Sequence, residues 1–149
     1  MSEITITAPI AADKADWRRL YDGYATFYKM PMTDAVAERV WGWLDDPAHV
    51  LEALVARTAE GRVVGLAHFR AMPRPLTGTT AGFLDDLFVD PEFRGGQVGH
   101  RLITALAGLA RQRQWTVIRW LTADDNYRAR RLYDRLAKRT MWLTYQMDL

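Results

Sequence analysis

Residues 94–99 join an apolar strand to an amphipathic helix through a segment rich in small side chains. The segment reads RGGQVG, and it follows the apolar stretch Phe83–Val89 and a turn at Asp90-Pro91. The first turn of a helix leaves backbone N–H groups unpaired, and the helix dipole places positive charge at the same point. Glycines let a bulky anion approach the backbone closely. The segment therefore predicts a pyrophosphate-binding site at the start of this helix.

Two better-known phosphate-binding motifs do not fit this segment. A P-loop requires Lys followed by Ser or Thr at the helix start, whereas Gly99 is followed by His100-Arg101. A dinucleotide-binding fingerprint requires three glycines at fixed spacing and a repeated parallel unit, which a chain of 149 residues is too short to complete. A loop whose glycines only form a turn is the simpler alternative, and the flanking strand and helix argue against it.

The elements that must position this segment follow from hydrophobic periodicity and turn residues. The predicted strands are 4–7, 51–58, 63–70, 83–89, 116–122 and 141–149. The predicted helices are 13–28, 34–44, 98–113 and a last one that starts at Asp124-Asp125-Asn126 and ends near Leu136. The order β-α-α-β-β-β-α-β-α-β predicts an α/β or α+β fold with a mixed sheet of about six to seven strands and about four helices. The strands around Phe83 and Ile118 should be parallel neighbours.

The composition favours a single globular domain and argues against disulfide-linked, metal-binding, membrane-spanning and nucleic-acid-binding proteins. A length of 149 residues predicts one domain, residues 1–149, with 49% hydrophobic and 26% charged residues. The absence of cysteine excludes disulfides, thiolate metal sites and a cysteine nucleophile, and is compatible with a cytoplasmic protein. The three histidines lack zinc-ligand spacing, so no metal is expected. No apolar run predicts a membrane span, and a net charge of +2 does not indicate nucleic-acid binding.

Two segments carry a resemblance to a known family. Residues 87–99, LFVDPEFRGGQVG, resemble the acetyl-coenzyme A signature of the GNAT-type N-acetyltransferases, and residues 126–133, NYRARRLY, resemble their second motif. The predicted element order also matches, so the resemblance covers nearly the whole chain. Residues 132–140 are most similar to a branch that includes amine- and histone-acetylating yeast enzymes. Gln97 replaces a glycine that is common in the first motif, and Ala137 replaces one that is common after the second.

The resemblance implies acetyl-coenzyme A as the acyl donor. Backbone of the strand around residues 87–89 would pair with the pantetheine arm and supply an oxyanion donor, and the helix start would hold the pyrophosphate. The residues expected to bind the cofactor are Leu87, Phe88, Val89, Arg94, Gly95, Gly96, Gln97, Val98, Gly99, His100, Arg101, Asn126 and Tyr133. The alternative for either arginine is a solvated surface charge, and the alternative for Asn126 is a helix cap.

Acetyl transfer to an amine requires movement of two protons. An amine with a pKa near 10.4 is about 0.04% neutral at pH 7, a cost of roughly 4.6 kcal/mol, so a general base is expected. The departing thiolate needs a proton, and the resemblance to the family implies Tyr133 as the acid. Asn126, Ala129 and Tyr133 share one helix face, which also carries Leu132 and Leu136, so spacing alone favours a core tyrosine with a satisfied hydroxyl.

Asp85 and Asp86 are adjacent carboxylates inside an otherwise apolar strand, where strand alternation places them on opposite faces. They could be solvated if the strand begins later, or one could pair with an arginine in the core. The catalytic interpretation is that one of them binds a cationic amine or accepts its proton, directly or through water. Asp85 is favoured, because polyamine-acetylating relatives carry an acidic residue at that place.

The acceptor side of this fold is built by the first two helices. Phe27, Tyr28 and Trp41 are the candidate substrate-binding aromatics beside Asp85, although aromatics at helical spacing also fit core packing. The sequence thus predicts acetyl transfer to a primary amine of a small molecule (a polyamine, amino acid or aminoglycoside) by direct attack in a ternary complex. The alternatives are a non-catalytic acyl-coenzyme A-binding module and an acetyltransferase acting on a protein or charged tRNA. A homodimer is expected from the family alone.

Overall fold

The computed structural model describes residues 3–149 and contains a five-stranded sheet in the order β1-β2-β3-β4-β5. The strands are β1 Ile4–Thr7, β2 Leu51–Thr58, β3 Val63–Arg74, β4 Thr79–Val89 and β5 Ile118–Trp120. The helices are α1 Lys14–Phe27, α2 Asp34–Asp45, α3 Val98–Gln112 and α4 Tyr127–Leu136. The first four strands pair antiparallel, and β5 is parallel to β4. The mixed sheet and the parallel neighbours around Phe83 and Ile118 are therefore confirmed.

The predicted number of strands was too high. The sheet has five strands rather than six to seven, because residues 141–149 form no strand. The strand predicted at 116–122 is present but is confined to the three residues of β5. The alternation of residues 141–149 is typical of a strand, but a strand also needs a neighbour to accept its backbone hydrogen bonds. Residues 138–149 are exposed throughout and lie outside every element of the sheet.

The helices cover the two faces of the sheet and form two hydrophobic clusters. Trp17 and Leu20 of α1 and Val40 of α2 pack on one face, where Thr33 caps α2 by accepting a hydrogen bond from the Val36 N–H at 3.2 Å. The opposite face is covered by the apolar stripe of α3 and by Leu132, Tyr133 and Leu136 of α4. The residues of α3 in this cluster are Val98, Leu102, Ile103, Leu106 and Leu109.

A β-bulge interrupts β4 next to the acidic pair. Leu84 lies opposite Phe69, and Asp86 lies opposite His68, so Asp85 is an extra residue without a partner on β3. The bulge restarts the alternation of side chains along the strand. As a result, Asp86 faces α1, as Phe88 does.

The ladder between β4 and β5 ends early. The two strands pair only from Gly82 to Leu84, opposite residues 118–120, and the rest of β4 has no neighbour on that side. The Asp90 N–H donates to the Val64 carbonyl on β3 at 2.8 Å. Because backbone groups alternate in direction along a strand, those of Leu87 and Val89 then point away from β3. This open edge lies directly before α3.

Candidate active site

A cavity of about 1070 Å³ lies between the open edge of β4, the start of α3 and helix α4, with the end of α1 at its rim. Eleven of the residues predicted to bind the cofactor line it: Leu87, Phe88, Val89, Arg94, Gly95, Gln97, Val98, Gly99, His100, Asn126 and Tyr133. Gly96 and Arg101 are exposed and do not line it. The fold thus brings two separate sequence segments, 87–100 and 126–136, to one cavity.

The start of α3 presents free backbone donors to this cavity. The first hydrogen bond of the helix joins the Arg101 N–H to the Gln97 carbonyl at 2.9 Å, so the amides of Val98, Gly99 and His100 precede the helical ladder. The turn depends on left-handed backbone at Gly95 (φ 83°) and at Gln97 (φ 67°). Such an arrangement of amides and helix dipole binds phosphate oxygens.

Arg94 is anchored to the strand rather than free in solvent. Its Nε donates to the Val89 carbonyl at 3.2 Å, and its guanidinium lies 5.3 Å from the centroid of the Phe88 ring. The contact satisfies one backbone acceptor on the open edge of β4 and leaves the other nitrogen atoms of the guanidinium beside the cavity. Arg94 is therefore placed to hold the turn and to offer positive charge to an anion there.

Helix α4 supplies the opposite wall. Burial, together with the nearby Tyr28, raises the pKa of the Tyr133 hydroxyl to about 12, so this group is protonated at neutral pH. Its ring packs edge-on against Trp120 at 5.4 Å between centroids. Asn126 Nδ2 donates to the Thr122 Oγ1 at 3.3 Å and makes no side-chain cap to the helix. Tyr133 is thus both packed and available as a proton donor.

Asp86 lies at the end of a buried hydrogen-bond chain. The indole N–H of Trp17 donates to His68 Nε2 at 2.9 Å, and His68 Nδ1 lies 2.7 Å from Asp86 Oδ2. Because an indole nitrogen is only a donor, His68 Nε2 must be the acceptor and Nδ1 must carry the hydrogen. His68 is 0% exposed, so this chain fixes a neutral imidazole that donates to the carboxylate.

Two tyrosines of α1 surround the same carboxylate. The Tyr21 hydroxyl lies 3.5 Å from Asp86 Oδ2, and its ring packs edge-on against His68. Burial and the Asp86 charge raise the pKa values of the Tyr21 and Tyr24 hydroxyls, so both are protonated donors. Tyr24 also lines the cavity, and it therefore connects Asp86 with the cavity although Asp86 itself does not line it.

Asp85 has a different environment. Its carboxylate pairs with Arg70 Nε at 3.0 Å, and the Arg70 guanidinium lies 4.7 Å from the Phe83 ring centroid. Burial raises the pKa of Asp85, against the opposing effect of Arg70. The expectation that the two carboxylates lie on opposite faces is wrong, because the bulge at Asp85 breaks the alternation. Asp85 pairs with Arg70 and Asp86 with His68, and these partners are two residues apart on β3, so they share one face of the sheet.

The predicted acceptor aromatics divide into two groups. Phe27 and Tyr28 are 53% and 40% exposed and line the cavity at the end of α1. Trp41 packs instead against Trp17, with 5.1 Å between ring centroids, and does not line the cavity. Trp41 therefore packs behind Trp17, the first residue of the hydrogen-bond chain Trp17–His68–Asp86.

Trp17, Tyr21, Tyr24, His68 and Arg70 were not predicted as site residues. A signal existed for His68, a polar residue inside the apolar run VVGLAHF of β3. Its partner Trp17 is 51 residues away, so the contact could not be inferred from spacing. Within residues 3–149, no group of three or more His, Cys, Asp or Glu residues is placed to hold a metal ion. None of the described helices is both long and apolar enough to cross a membrane.

Known proteins resemble the chain over nearly its whole length. The D-amino-acid N-acetyltransferase HPA3 of Saccharomyces cerevisiae is 28% identical over 146 residues, 97% of this chain and 91% of the yeast protein. The crystal structure of a ribosomal-protein-alanine N-acetyltransferase from Brucella melitensis biovar Abortus 2308 is 28% identical with a TM-score of 0.80, and covers 99% of this chain and 100% of that one.

The aminoglycoside N-acetyltransferase AAC(6')-Iy, solved in complex with CoA, shares the fold at 18% identity. Its TM-score is 0.85, and the match covers 99% of this chain and 96% of that one. The acetyltransferase (GNAT) family matches residues 17–137, which include the whole cavity wall from Tyr24 to Leu136. The chain belongs to the acetyltransferase (GNAT) family.

Proposed function

We propose that this protein transfers the acetyl group of acetyl-coenzyme A to a primary amine of a small molecule by direct attack in a ternary complex. The observation that carries the proposal is that one cavity joins the free amides of α3, the open edge of β4 and the Tyr133 hydroxyl. An acyl thioester that carries a pyrophosphate requires these three groups, for its phosphates, for its extended arm and for the departing thiolate.

The residues present fit coenzyme A. The amides of Val98, Gly99 and His100 would bind the pyrophosphate, and Arg94 would balance its charge. The Leu87 backbone and the Val89 N–H would offer strand hydrogen bonds to the pantetheine arm, since β5 does not pair with them and Arg94 occupies only the Val89 carbonyl. Acetyl-coenzyme A supplies an activated carbonyl, and a backbone N–H of the open edge would stabilise negative charge on its oxygen.

We assign the role of general base to Asp86 rather than to Asp85. Among the described residues, the groups that donate to Asp86 are neutral, namely the His68 Nδ1–H and the hydroxyls of Tyr21 and Tyr24, and Asp86 is paired with no lysine or arginine. Asp85 is paired with Arg70. A proton from the bound amine would reach Asp86 through the Tyr24 hydroxyl or a water molecule, while Tyr133 would donate to the departing thiolate.

The acceptor site supports a small amine with apolar or cationic parts. Phe27 and Tyr28 form an aromatic rim, and Asp85 and Asp86 place negative charge behind it. The yeast relative is named for D-amino acids and a structural neighbour for aminoglycosides, which agrees with this class. The Brucella protein is named for a ribosomal protein, so a peptide amine is the competing acceptor. We also propose that the protein acts in the cytoplasm.

A panel of amines tests the proposal through release of free coenzyme A thiol. The panel contains D- and L-amino acids, polyamines, aminoglycosides and an N-terminal alanine peptide. We expect turnover with a small amine, and Tyr133→Phe should lower kcat by about 10²–10⁴ while acetyl-coenzyme A affinity is unchanged. Binding without turnover for every amine would support a non-catalytic module, and turnover of the peptide alone would shift the acceptor to proteins.

A further inference from the structure

Asp90 is a buried carboxylate to which the proposed mechanism gives no role. It directly follows β4 and is 4% exposed. Its Oδ1 accepts a hydrogen bond from the Glu92 N–H at 3.0 Å, and its Oδ2 accepts from Arg19 Nη1 at 2.8 Å and from Arg62 Nη2 at 3.1 Å. Burial disfavours the charged form, but these donors outweigh burial and hold the pKa of Asp90 below its usual range. Asp90 is therefore ionised at neutral pH.

The partners of Asp90 come from three separate segments of the chain. Glu92 belongs to the short helical turn that Asp90 caps. Arg19 lies on α1 and also donates through Nη2 to the first backbone carbonyl of β3 at 2.9 Å. Arg62 lies in the turn between β2 and β3, and its guanidinium is 5.9 Å from the centroid of the Phe93 ring. One carboxylate therefore connects the turn after β4 to α1 and to the β2–β3 hairpin.

The turn that Asp90 caps leads into the cofactor cavity. Phe93 and Arg94 follow it directly and line the cavity. The Phe93 N–H donates to the Asp90 carbonyl at 2.8 Å, and Arg94 Nε donates to the Val89 carbonyl at 3.2 Å. The free amides of α3 begin shortly afterwards, at Val98. A displacement of this turn would therefore move both the arginine and the amides relative to the open edge of β4.

We propose that Asp90 is a positioning residue for coenzyme A. It does not line the cavity, and it acts by holding the turn whose arginine and amides bind the pyrophosphate. The inference rests on the proposed placement of the pyrophosphate at the start of α3. A site whose donors are already fixed loses less conformational entropy when its ligand binds, so contacts that fix the turn strengthen binding without touching the ligand.

The effect expected of Asp90→Asn is opposite in sign to that of charge alone. The substitution removes a negative charge near a site for a polyanion, which by charge alone should strengthen coenzyme A binding. Asparagine has one side-chain oxygen where aspartate has two, and its amide N–H groups cannot accept from Arg19 or Arg62. The turn then loses contacts to α1 or the hairpin. We expect coenzyme A affinity to fall about tenfold, as when an outer partner of a metal ligand is removed.

Calorimetric titration with coenzyme A measures this affinity, and Asp13→Asn is the matched control. Asp13 is also 4% exposed, pairs with Arg57 and accepts a hydrogen bond from the Ile10 N–H at 2.8 Å, but none of these three residues lines the cavity. We expect the control to bind coenzyme A as the unmodified protein does. An equal loss in both variants would indicate general destabilisation and would overturn the positioning role.

Arg62→Lys provides a second variant that keeps the net charge. The Arg62 side chain is 46% exposed, so the variant should fold even if Asp90→Asn does not. Lysine lacks the planar fork that reaches both Asp90 and Glu92, so we expect a smaller loss of coenzyme A affinity, whereas charge alone predicts none. Affinity that is unchanged in this variant and unchanged or higher in Asp90→Asn overturns the inference.

Steady-state kinetics with an accepted amine separate positioning from chemistry. In Asp90→Asn, KM for acetyl-coenzyme A should rise while kcat at saturating acetyl-coenzyme A is unchanged. A lower kcat at unchanged KM would contradict the positioning role. The titration itself needs no acceptor, so its result does not depend on which amine is the substrate. If the unmodified protein does not bind coenzyme A, the proposed function fails together with this inference. If only the effect of Asp90 is missing, this inference fails alone.

Discussion

The replacement Asp86→Asn tests the assignment of the base without disturbing the buried chain around it. Asparagine keeps a side-chain oxygen that can accept from His68 Nδ1–H, now 2.7 Å from Asp86 Oδ2, and from the Tyr21 hydroxyl. The Trp17–His68 hydrogen bond is then preserved as well. The substitution therefore removes the negative charge and basicity while the geometry remains.

The expected loss follows from the free energy of amine deprotonation. With an amine pKa near 10.4, an unassisted reaction at pH 7 uses about 1 part in 2,500 of the amine, which corresponds to roughly 4.6 kcal/mol. A positioned base usually supplies about 10²–10⁴ in rate. We therefore expect kcat/KM of Asp86→Asn to fall by about 10²–10³ at pH 7.

The pH profile separates loss of a base from loss of structure. The free amine increases tenfold per pH unit below its pKa, so the variant should approach the unmodified protein as the pH rises to about 10. The assay is thiol release with saturating acetyl-coenzyme A between pH 6 and 10. A deficit that is constant with pH would indicate damaged geometry instead of a missing base.

Asp85→Asn is the matched control on the neighbouring residue. Asp85 is paired with Arg70, so its removal should lower kcat/KM by less than about tenfold and leave the shape of the pH profile unchanged. If Asp85→Asn has the larger, pH-dependent effect, the roles of the two carboxylates are reversed and the reasoning from their partners is refuted.

Three further predictions concern stability and are checked by urea or thermal unfolding. Gln97→Gly should raise the free energy of unfolding by up to about 1 kcal/mol, because Gln97 has a left-handed backbone (φ 67°) that glycine adopts without strain. A lower free energy of unfolding would show instead that the Gln97 side chain stabilises the turn. Gly82→Ala should lower the free energy of unfolding by about 1–3 kcal/mol, since an added Cβ would lie 2.7 Å from the Trp115 ring. Gly108→Ala is the control: its added Cβ enters open space on α3, so this substitution should stabilise the protein. Asp13→Asn should lower the free energy of unfolding by about 3 kcal/mol at pH 7, because Asp13 is buried in an ion pair with Arg57, which holds its pKa below the usual value. A carboxyl group whose pKa is depressed in the folded state stabilises the protein at pH values above its unfolded pKa, and this stabilisation is lost as the pH falls. The free energy of unfolding of the variant should therefore decline less steeply below about pH 4 than that of the unmodified protein. An equally steep decline would contradict this role of Asp13.

The strand–turn–helix from Phe83 to Gln112 was predictable because its signals are local. Apolar periodicity, the Asp90-Pro91 turn and the glycines all act within a few residues of the structure they determine. The turn also accommodates Gln97 in a conformation that favours glycine, and this could not be read from residue type. Locally encoded elements were therefore placed within a few residues of their observed ends.

Contacts between distant segments could not be predicted in the same way. Strand alternation assigned Asp85 and Asp86 to opposite faces, and the bulge that invalidates this rule is visible only in the register of β3 against β4. Residues 141–149 have the pattern of a strand, but the pattern does not supply a neighbouring strand, and none pairs with them in the structure. Both errors arise because a strand is completed by a neighbour that the local sequence does not contain.

The bulge and the buried histidine together favour a carboxylate over an imidazole as the proposed base. His68 cannot accept a proton at Nε2 while the Trp17 indole N–H donates to that atom, because two donors would then face each other. Nor is Nδ1 available, since its hydrogen is directed to Asp86. The extra residue Asp85 turns Asp86 toward this fixed donor, so Asp86 is held by neutral partners. In the proposed mechanism, its charge is therefore available to the amine.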